Sequence, residues 1–323
     1  MNKAKISAGI IGGAGYTGGE TLRLLLNHPF TEIAFIQSRS QNGRAVSDIH
    51  HDLTGEFDLT FSAEAGPADV IFLCLGHGES AKYLKEHPLH PGTKVIDLSQ
   101  DFRLSASAEG FTYGLPELNR EAIKEADKVA NPGCFATAIQ LGLLPLAAAG
   151  ILREVHTTGI TGSTGAGQKL QESTHFTWRA NNISPYKTLN HQHLAEIRQS
   201  LSQLQHGYDQ PVRFIPWRGD FTRGIFVTSV TTCDLPLNEI TGRYQEYYAS
   251  HPFTILIDRD PDLKSVINTN KCIIRLEKSG NTLAIHSAID NLLKGASGQA
   301  VQNMNLMFGL PEAAGLRLKG SAF

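Results

Sequence analysis

The sequence has 323 residues, with 29 Lys and Arg against 31 Asp and Glu, and a formal net charge of −2 at pH 7. A chain of this length can bury one or two full cores without disulfides or structural metals. The balanced charge argues against nucleic acid or an anionic membrane as a partner, because both require a broad basic surface. The longest apolar stretch, residues 141–152, contains glycine and proline and is too short to span a bilayer.

The 4 cysteines predict a reducing environment. They stand at positions 74, 134, 233 and 272, with neither C-x-x-C spacing nor the density of a secreted scaffold. Glycines interrupt the apolar part of residues 1–13 before it reaches the length of a signal peptide. We therefore expect a cytoplasmic protein without a targeting segment or a transmembrane helix.

The first part of the chain alternates predicted strands and helices. Apolar, β-rich segments at 6–11, 32–37, 69–75 and 94–98 are interleaved with helical spacing at 20–27 and 79–87. Repeated β and α elements of this length predict an α/β fold with a Rossmann-type, doubly wound parallel sheet.

The pattern of predicted secondary structure changes after an apolar helix predicted at 135–149. Half-alternating, β-branched segments predict an α+β domain with a mainly antiparallel sheet, and helical spacing returns at 291–307. The predicted strands of this second part are residues 226–232, 254–258, 272–276 and 283–288.

A glycine-rich turn follows the first predicted strand. Gly13-x-Gly15-x-x-Gly18 lies between that strand and a helix, the context in which this fingerprint binds a dinucleotide pyrophosphate at a helix N-terminus. A purely structural glycine turn is the alternative. The predicted cofactor contacts are Gly12, Gly13, Ala14, Gly15, Tyr16, Thr17 and Gly18.

The end of the second predicted strand favours NADP over NAD. A carboxylate there would accept the ribose 2′-hydroxyl of NAD, but the strand ends in Gln37-Ser38-Arg39-Ser40. A guanidinium and two hydroxyls suit a 2′-phosphate, although Arg39 can also be interpreted as a solvated loop residue. We expect an NADP-binding domain at 1–133, completed by a C-terminal helix within 290–323, and a catalytic and dimerisation domain at 134–289.

Cys134 is the candidate nucleophile. It follows Asn131-Pro-Gly and precedes the apolar helix, so its sulfur should lie near a helix N-terminus, where amides and the helix dipole favour a thiolate. Cys74, Cys233 and Cys272 are interpreted as small buried hydrophobes.

A nucleophilic thiol needs a proton-transfer partner, which is usually histidine. The candidates are His175, His191, His193 and His286. Residues 190–196 predict an amphipathic helix on which His191 and His193, two positions apart, point in different directions. An H-x-H pair can also bind a metal or be structural; further ligands at a recognisable spacing are missing, so we predict no metal.

Taken together, these segments resemble the N-acyl-γ-glutamyl-phosphate reductases, relatives of the aspartate-semialdehyde dehydrogenases, over most of the chain. The resemblance is carried by motifs in a specific order. They are Gly12-Gly-Ala-Gly-Tyr-Thr-Gly18, Ser99-x-Asp101-Phe-Arg103, Tyr113-Gly-Leu-Pro-Glu117, Asn131-Pro-Gly-Cys134, Gly162-Ser-Thr-Gly-Ala-Gly167, His191-x-His193-x-x-Glu196, Arg223-Gly-Ile225 and Asp290-Asn-Leu-x-Lys-Gly-Ala296.

This resemblance implies NADPH-dependent reduction of N-acetyl-glutamyl 5-phosphate to the semialdehyde and phosphate, a step of arginine biosynthesis, by a homodimer or homotetramer. It implies a thioester on Cys134, with His191 as the acid–base residue. The implied substrate contacts are Arg103, Asn131, His193, Glu196 and Arg223. The implied contacts near the reactive end of the cofactor are Gly162, Ser163, Gly165, Ala166, Gly167, Asn291 and Gly295.

Two departures from the family pattern bear on the acyl group. Phe135-Ala136 stands where the family often has Tyr-Pro, and Gln192 where it often has Arg. N-acetyl and N-succinyl substrates therefore both stay open. So do a non-redox Cys/His acyltransferase or hydrolase and a non-catalytic NADP-binding redox sensor.

Three further basic residues carry weaker sequence evidence for a function. Lys169 and Arg179 are secondary candidates for binding the anionic substrate, with a solvated position as the alternative for each. Arg218 belongs to an Arg-Gly-Asp tripeptide that resembles an adhesion motif. In a chain without secretory features we interpret that tripeptide as a coincidence.

Overall fold

The structure is a computed structural model that describes residues 5–321. These residues divide into two compact units. Unit one extends to Pro132 and includes Ala296–Arg317, and unit two comprises Gly133–Gly295 with the residues from Leu318 onward.

The described part of unit one is built on a six-stranded parallel sheet in the order β2-β1-β3-β4-β6-β5. Burial on both faces explains the near-continuous apolar runs of its central strands. The expected doubly wound parallel sheet is confirmed. The strands are β1 (Ile6–Ile11), β2 (Thr31–Gln37), β3 (Val70–Leu73), β4 (Lys94–Asp97), β5 (Thr112–Tyr113) and β6 (Lys128–Ala130).

The helices of unit one are α1 (Tyr16–Leu26), α2 (Glu79–Glu86), α3 (Pro116–Lys124) and α8 (Gly298–Met307). Helix α1 begins at Tyr16, four residues before the predicted start at 20, because Gly15 is still extended and forms its N-cap. Two glycines in the first turn of α1 lower the intrinsic helix propensity of that turn, so packing must stabilise it.

Helix α8 belongs to unit one and packs against α1 and α3. Its polar side chains bond within the unit: Asn303 Nδ2 donates to Gly114 O at 2.9 Å, and Asn305 Oδ1 lies 3.0 Å from His28 Nε2. The helix predicted over 291–307 does not start as an α-helix, since a π-helical turn, Leu293–Ser297, precedes α8.

The described part of unit two is built on a seven-stranded sheet in the order β11-β12-β13-β10-β7-β9-β8. Four of its six neighbouring pairs are antiparallel, which confirms the expected architecture, while β11–β12 and β7–β9 are parallel. The strands are β7 (Val155–Thr161), β8 (Ser184–Pro185), β9 (Val212–Arg218), β10 (Ile225–Thr232), β11 (Thr254–Leu256), β12 (Cys272–Ser279) and β13 (Thr282–Ile289).

The helices of unit two are α4 (Cys134–Ala148), α5 (Phe176–Arg179), α6 (His193–Leu204) and α7 (Leu237–Tyr248). Helices α4, α6 and α7 pack on strands of the sheet, and α6 and α7 also contact α4. Helix α4 is buried from Phe135 to Ala147 and packs on β10 and β13 as well as on α6. Gly159 of β7 permits close approach, because a Cβ there would lie 2.6 Å from a ring carbon of Phe135. This contact brings the N-terminal end of α4 against the sheet.

Candidate active site

In unit one, the glycine turn connects β1 to α1. Gly12 has φ +79, and a Cβ on it would lie 2.5 Å from Cys74 O. A Cβ on Gly18 would lie 2.5 Å from Gly12 O, so these two positions are glycine because the backbone itself is crowded. Gly15 differs: a Cβ there would meet only Gly12 O, at an ordinary 3.6 Å.

The space at Gly15 fits a dinucleotide. The protein does not require glycine at this position, whereas close approach of a pyrophosphate to the backbone would. The turn also leads into the N-terminus of α1, where free N–H groups favour an anion. Because β1 lies between β2 and β3, the connections diverge at this edge of the sheet, which is where such folds bind ligands.

The segment after β2 carries the residues expected to distinguish NADP from NAD. Arg39 and Ser40 are exposed, and the Ser38 and Ser40 hydroxyl oxygens are 3.5 Å apart. Arg39 Nη2 lies 2.8 Å from His87 Nε2, at the end of α2. The Gly12 and Gly13 N–H groups both donate to Gln37 O at 3.0 Å, which joins this segment to the glycine turn.

Arg103 and Asn131, both expected at the substrate, donate side-chain hydrogen bonds to backbone carbonyls of unit one. Arg103 is buried, and it donates from Nε to Asn131 O at 2.8 Å and from Nη2 to Leu98 O at 2.9 Å. The Asn131 amide donates to Ala296 O at 3.0 Å and accepts from Asn303 Nδ2 at 3.1 Å. Both residues therefore hold the carboxyl ends of β4 and β6, and their contact with substrate stays a prediction.

In unit two, Cys134 is the first residue of α4 and is partly exposed. The first hydrogen bond of the helix runs from Thr137 N–H to Gly133 O at 2.8 Å. The amides of Phe135 and Ala136 precede that bond, so they have no acceptor within the helix. Amides and a helix dipole at this point stabilise a thiolate and an oxyanion on the carbon that it attacks.

His193 and Glu196 hold the turn before Cys134. Glu196 Oε2 accepts from Gly133 N–H at 3.0 Å, and Glu196 Oε1 lies 4.0 Å from His193 Nε2. The His193 ring packs directly on the Gly133 backbone, where it leaves no room for a Cβ. We find that both residues position the nucleophile's turn, while their expected contact with substrate stays a prediction.

His191 lies next to His193, contrary to the expectation that the two side chains diverge. Helix α6 begins at His193, so His191 precedes it and is free of helical geometry. Its Nδ1 accepts the His193 N–H at 3.2 Å, and the two ring centroids are 4.6 Å apart. This bond places the proton of the neutral imidazole on Nε2.

Burial, and secondly the nearby Lys187 cation, lower the pKa of His191 to about 4. The neutral form therefore dominates at pH 7. Phe135 and Phe214 enclose the imidazole, with ring centroids 5.8 and 5.4 Å away. In this tautomer Nε2–H is the donor of the neutral ring, and a further proton can enter only at Nδ1.

Tyr186 is a residue that the sequence analysis missed. Its ring centroid is 5.8 Å from that of His191. Burial first, and the charge of nearby Cys134 second, raise the pKa of its hydroxyl, which stays protonated at neutral pH. Tyr186 lies in an irregular segment without a recognisable motif, so no sequence signal identifies it.

Arg223, also expected at the substrate, forms an ion pair with Asp290. Its Nε and Nη2 donate to the two carboxylate oxygens at 3.1 and 3.2 Å. Asp290 is 0% exposed and also accepts from the backbone N–H groups of Asn268, Leu292 and Leu293. The pair fixes the chain around residue 290, and direct substrate contact by Arg223 stays a prediction.

The second glycine cluster is held against the Arg223 loop. The Asn291 side chain joins the two segments, accepting from Gly224 N–H at 2.7 Å and donating to Thr164 Oγ1 at 3.0 Å. A Cβ on Gly295 would lie 2.8 Å from Cys134 Cβ, so the backbone after Asn291 packs beside the nucleophile. Cofactor contact by Gly162, Ser163, Gly165, Ala166 and Gly167 stays a prediction.

Some site types are not found in the described residues. None of the four cysteines forms a disulfide. Within residues 5–321, no group of three or more His, Cys, Asp or Glu is arranged to hold a metal ion. Across the same span, no helix has the length and apolar composition needed to cross a membrane.

The fold and the cysteine site together define an oxidoreductase of the semialdehyde dehydrogenase class. Residues 7–126 match the family model "Semialdehyde dehydrogenase, NAD binding domain", and residues 134–291 match "Semialdehyde dehydrogenase, dimerisation domain". Among solved structures, aspartate semialdehyde dehydrogenase II from Vibrio cholerae superposes with a TM-score of 0.77 at 16% identity, covering 95% of this chain and 99% of that one. The enzyme from Candida albicans, solved with NADP, gives 0.72 at 14% identity, over 94% and 99%.

Proteins related in sequence identify the family within this class. An N-acetyl-gamma-glutamyl-phosphate reductase of Bacteroides fragilis is 57% identical, and one of Christiangramia forsetii is 54% identical, each over 98% of this chain and 100% of the relative. The chain therefore belongs to the N-acetyl-gamma-glutamyl-phosphate reductase family. The resemblance inferred from the sequence motifs is confirmed.

Proposed function

We propose that the chain reduces N-acetyl-L-glutamyl 5-phosphate to the 5-semialdehyde and phosphate with NADPH, through a thioester on Cys134. The single observation that carries this proposal is Cys134 as the first residue of the buried helix α4, where the ring of the next residue, Phe135, packs against that of the buried, neutral His191 at a centroid distance of 5.8 Å. The names of the family relatives supply the substrate.

The thiolate of Cys134 attacks the acyl-phosphate carbonyl, the C–S bond forms, and the C–O bond to phosphate breaks. Reduction of the thioester requires a hydride, which bound NADPH supplies. Collapse of the resulting thiohemiacetal breaks the C–S bond and releases the aldehyde. The amides at the start of α4 stabilise the oxyanion in the addition steps.

His191 moves the protons. In the free protein its neutral ring carries the proton on Nε2, so the proton of the Cys134 thiol enters at Nδ1 after the bond from the His193 N–H opens, and it leaves again when the C–S bond breaks. Nε2–H is the group of the neutral ring that can donate to the oxyanion of the thiohemiacetal. General acid–base catalysis of this kind contributes roughly 10²- to 10⁴-fold.

The choice of NADP over NAD is supported by exposed Arg39 and the hydroxyls of Ser38 and Ser40 at the end of β2. These groups offer a cation and hydrogen-bond donors to a 2′-phosphate, and no carboxylate stands there to accept a 2′-hydroxyl. The glycine turn from Gly12 to Gly18 would hold the pyrophosphate, and the segments from Gly162 and Asn291 the nicotinamide end.

A homodimer or homotetramer in the cytoplasm completes the proposal. The match to a dimerisation domain supports self-association. The face of the unit-two sheet opposite α4 carries half-exposed apolar residues such as Ile215 and Ile160, which a partner subunit would cover. The absence of disulfides among the four cysteines supports a reducing compartment.

Turnover assays test this function. NADPH oxidation with N-acetyl-glutamyl phosphate should release one phosphate per aldehyde, and Cys134→Ser should lower kcat at least about 10³-fold, as loss of a nucleophile does in other covalent enzymes. A Cys233→Ser control, at a buried cysteine away from this site, should retain activity. Turnover without NADPH would favour an acyltransferase or hydrolase, and cofactor binding without any turnover a redox sensor.

A further inference from the structure

Arg218 is a cation on the buried face of β9, in unit two. Side chains alternate along a strand, so Arg218 shares a face with Phe214 and Pro216, whereas Arg213 and Ile215 point the opposite way. Phe214 on this face contacts both Phe135 and His191, at ring centroid distances of 4.9 and 5.4 Å. The strand therefore directs a guanidinium toward the side of the sheet that carries the nucleophile.

Tyr186 connects Arg218 to the reacting groups. The Arg218 guanidinium lies over the Tyr186 ring, with Cζ 4.8 Å from the ring centroid. The same tyrosine contacts His191 and is close enough to Cys134 to be influenced by its charge. On the other side, Arg218 Nη1 lies 3.4 Å from the Ser173 hydroxyl.

Two guanidiniums of this region keep buried nitrogens without an acceptor among the described residues. Arg218 Nε has no hydrogen-bond partner. Arg179, at the end of α5, is only 6% exposed, and its Nε and Nη1 also lack partners while Nη2 donates to Asn182 O at 2.8 Å. This burial excludes the solvated position that the sequence left open for Arg179. A buried, charged donor without an acceptor is costly, so an anionic ligand is the expected partner.

We propose that Arg218, together with Arg179 from the segment between Ser173 and Ser184, both of which contact Arg218, forms a subsite for a carboxylate or phosphate of the substrate beside Cys134. The proposal rests on the proposed function only for the identity of that substrate. Arg103 and Arg223, the arginines expected at the substrate, are both engaged by acceptors within their own units. Arg218, which is half-buried, and the buried Arg179 keep guanidinium nitrogens without an acceptor among the described residues.

Steady-state kinetics in the direction of phosphorylation test this subsite, because semialdehyde, phosphate and NADP⁺ can be varied separately. Arg218→Leu and Arg179→Leu should each raise one KM by about tenfold, equivalent to about 1.4 kcal/mol, and leave the KM for NADP⁺ within about twofold. Arg259→Leu is the control, since it removes an exposed arginine of unit two that pairs with Asp262. It should leave every KM unchanged.

The KM that changes identifies the group that Arg218 holds. A change for phosphate alone assigns the phosphoryl group. A change for both N-acetyl- and N-succinyl-glutamate semialdehyde assigns the α-carboxylate, and one for the succinyl compound alone assigns the terminal carboxylate. If Arg218→Leu folds with the wild-type circular dichroism spectrum and no KM moves beyond about twofold, the subsite is refuted. If that variant fails to fold, Arg218→Gln replaces it under the same criteria.

Binding separates this subsite from the proposed reaction. Calorimetric titration of the Cys134→Ala protein with phosphate, N-acetyl-L-glutamate and N-succinyl-L-glutamate needs no turnover. If the wild type reduces neither acyl phosphate but Arg218→Leu abolishes binding of one of these anions, the reaction fails and the subsite stands. If the wild type is active, and if adding Arg218→Leu to the Cys134→Ala protein leaves the binding of all three anions unchanged, the subsite is refuted while the proposed reaction stands.

Discussion

Glu196 accepts a hydrogen bond from the backbone N–H of Gly133 at 3.0 Å, and Gly133 is the N-cap of the helix that Cys134 begins. Glu196 is buried, so this bond is protected from water. The His193 ring packs on the same glycine. A carboxylate on α6 therefore sets the position of the turn from which the nucleophile projects.

Removing this acceptor should impair chemistry more than binding. Glu196→Ala leaves the Gly133 N–H without its acceptor and loosens the turn, and we expect kcat to fall about 10- to 100-fold, the scale of a displacement of about 1 Å at a reacting group. Glu196→Gln keeps one amide oxygen and should lose less. Arg198→Ala, at an exposed position of the same helix, should behave as wild type. Equal kcat values for Glu196→Ala and wild type would contradict this positioning role.

Two glycines of the nucleotide turn should separate cofactor binding from stability. Gly18→Ala brings a Cβ to 2.5 Å from Gly12 O, so the backbone must shift, and we expect a lower Tm, corresponding to about 1–3 kcal/mol. Gly15→Ala meets nothing closer than 3.6 Å and should keep its Tm but bind NADPH weakly. Thermal unfolding and fluorescence titration measure both effects. Wild-type NADPH affinity in Gly15→Ala would refute close approach of a ligand there.

Arg39→Ala should alter cofactor preference. We expect the Kd for NADPH to rise by about tenfold or more and the Kd for NADH to change by less than about twofold, because only NADPH carries the 2′-phosphate that a charge-assisted hydrogen bond would recognise. Arg44→Ala, at a nearby exposed arginine that bonds Gln41, is the control. Equal weakening of both cofactors by Arg39→Ala would exclude a role in 2′-phosphate recognition.

The titration of His191 should lie well below that of an ordinary histidine. Burial and Lys187 lower its pKa from 6.5 to about 4, so its ring should stay neutral in the free protein down to about pH 5. Because the folded pKa is below the unfolded value, the resulting stability is present above pH 6.5 and is lost as the pH falls through about 4. NMR titration of the ring, compared with a His191→Gln spectrum, measures this. Lys187→Ala should raise the pKa, and a His191 midpoint near 6.5 in the wild type would be incompatible with this site.

The ion pair of Arg223 with Asp290 should matter for stability. Asp290→Asn removes a fully buried charge that accepts from Arg223 and three backbone amides, and breaking such a pair costs about 3–5 kcal/mol. Asp260→Asn breaks the pair of Arg275 with a carboxylate that is 93% exposed, and should cost less than about 1 kcal/mol. Urea unfolding compares the two. Similar losses would show that burial does not control the strength of the Arg223 pair.

Much of the fold was predictable because its signals are local. The strand periodicity, the glycine turn after β1 and the apolar run after Cys134 each depend on neighbouring residues, and the helices and strands form near those positions. The start of α1 at Tyr16 and the π-helical turn before α8 were missed. Both depend on how closely backbone segments pack, which residue propensities do not record.

The candidate site was only partly predictable for a related reason. Cys134 and His191 were identifiable because thiol and imidazole chemistry restricts the residue types and because their motifs are specific. Tyr186 and Arg218 have no motif of their own; they meet because β8 pairs with the end of β9. Asp290 was visible as part of a motif, but its five donors come from separate segments.

The sequence by itself determined the kind of protein: two domains of α/β and α+β type, a dinucleotide turn, a cysteine nucleophile and membership of a reductase family. These follow from composition, periodicity and short motifs. Tertiary structure alone decided which arginines are engaged and which keep donors available, since hydrogen-bond partners depend on approach in space. Arg103 and Arg223 are held by acceptors within their units, while the buried Arg179 and the half-buried Arg218 each keep buried guanidinium nitrogens without an acceptor among the described residues. Burial makes that difference consequential, because a guanidinium removed from water must find its acceptors in the protein or in a ligand.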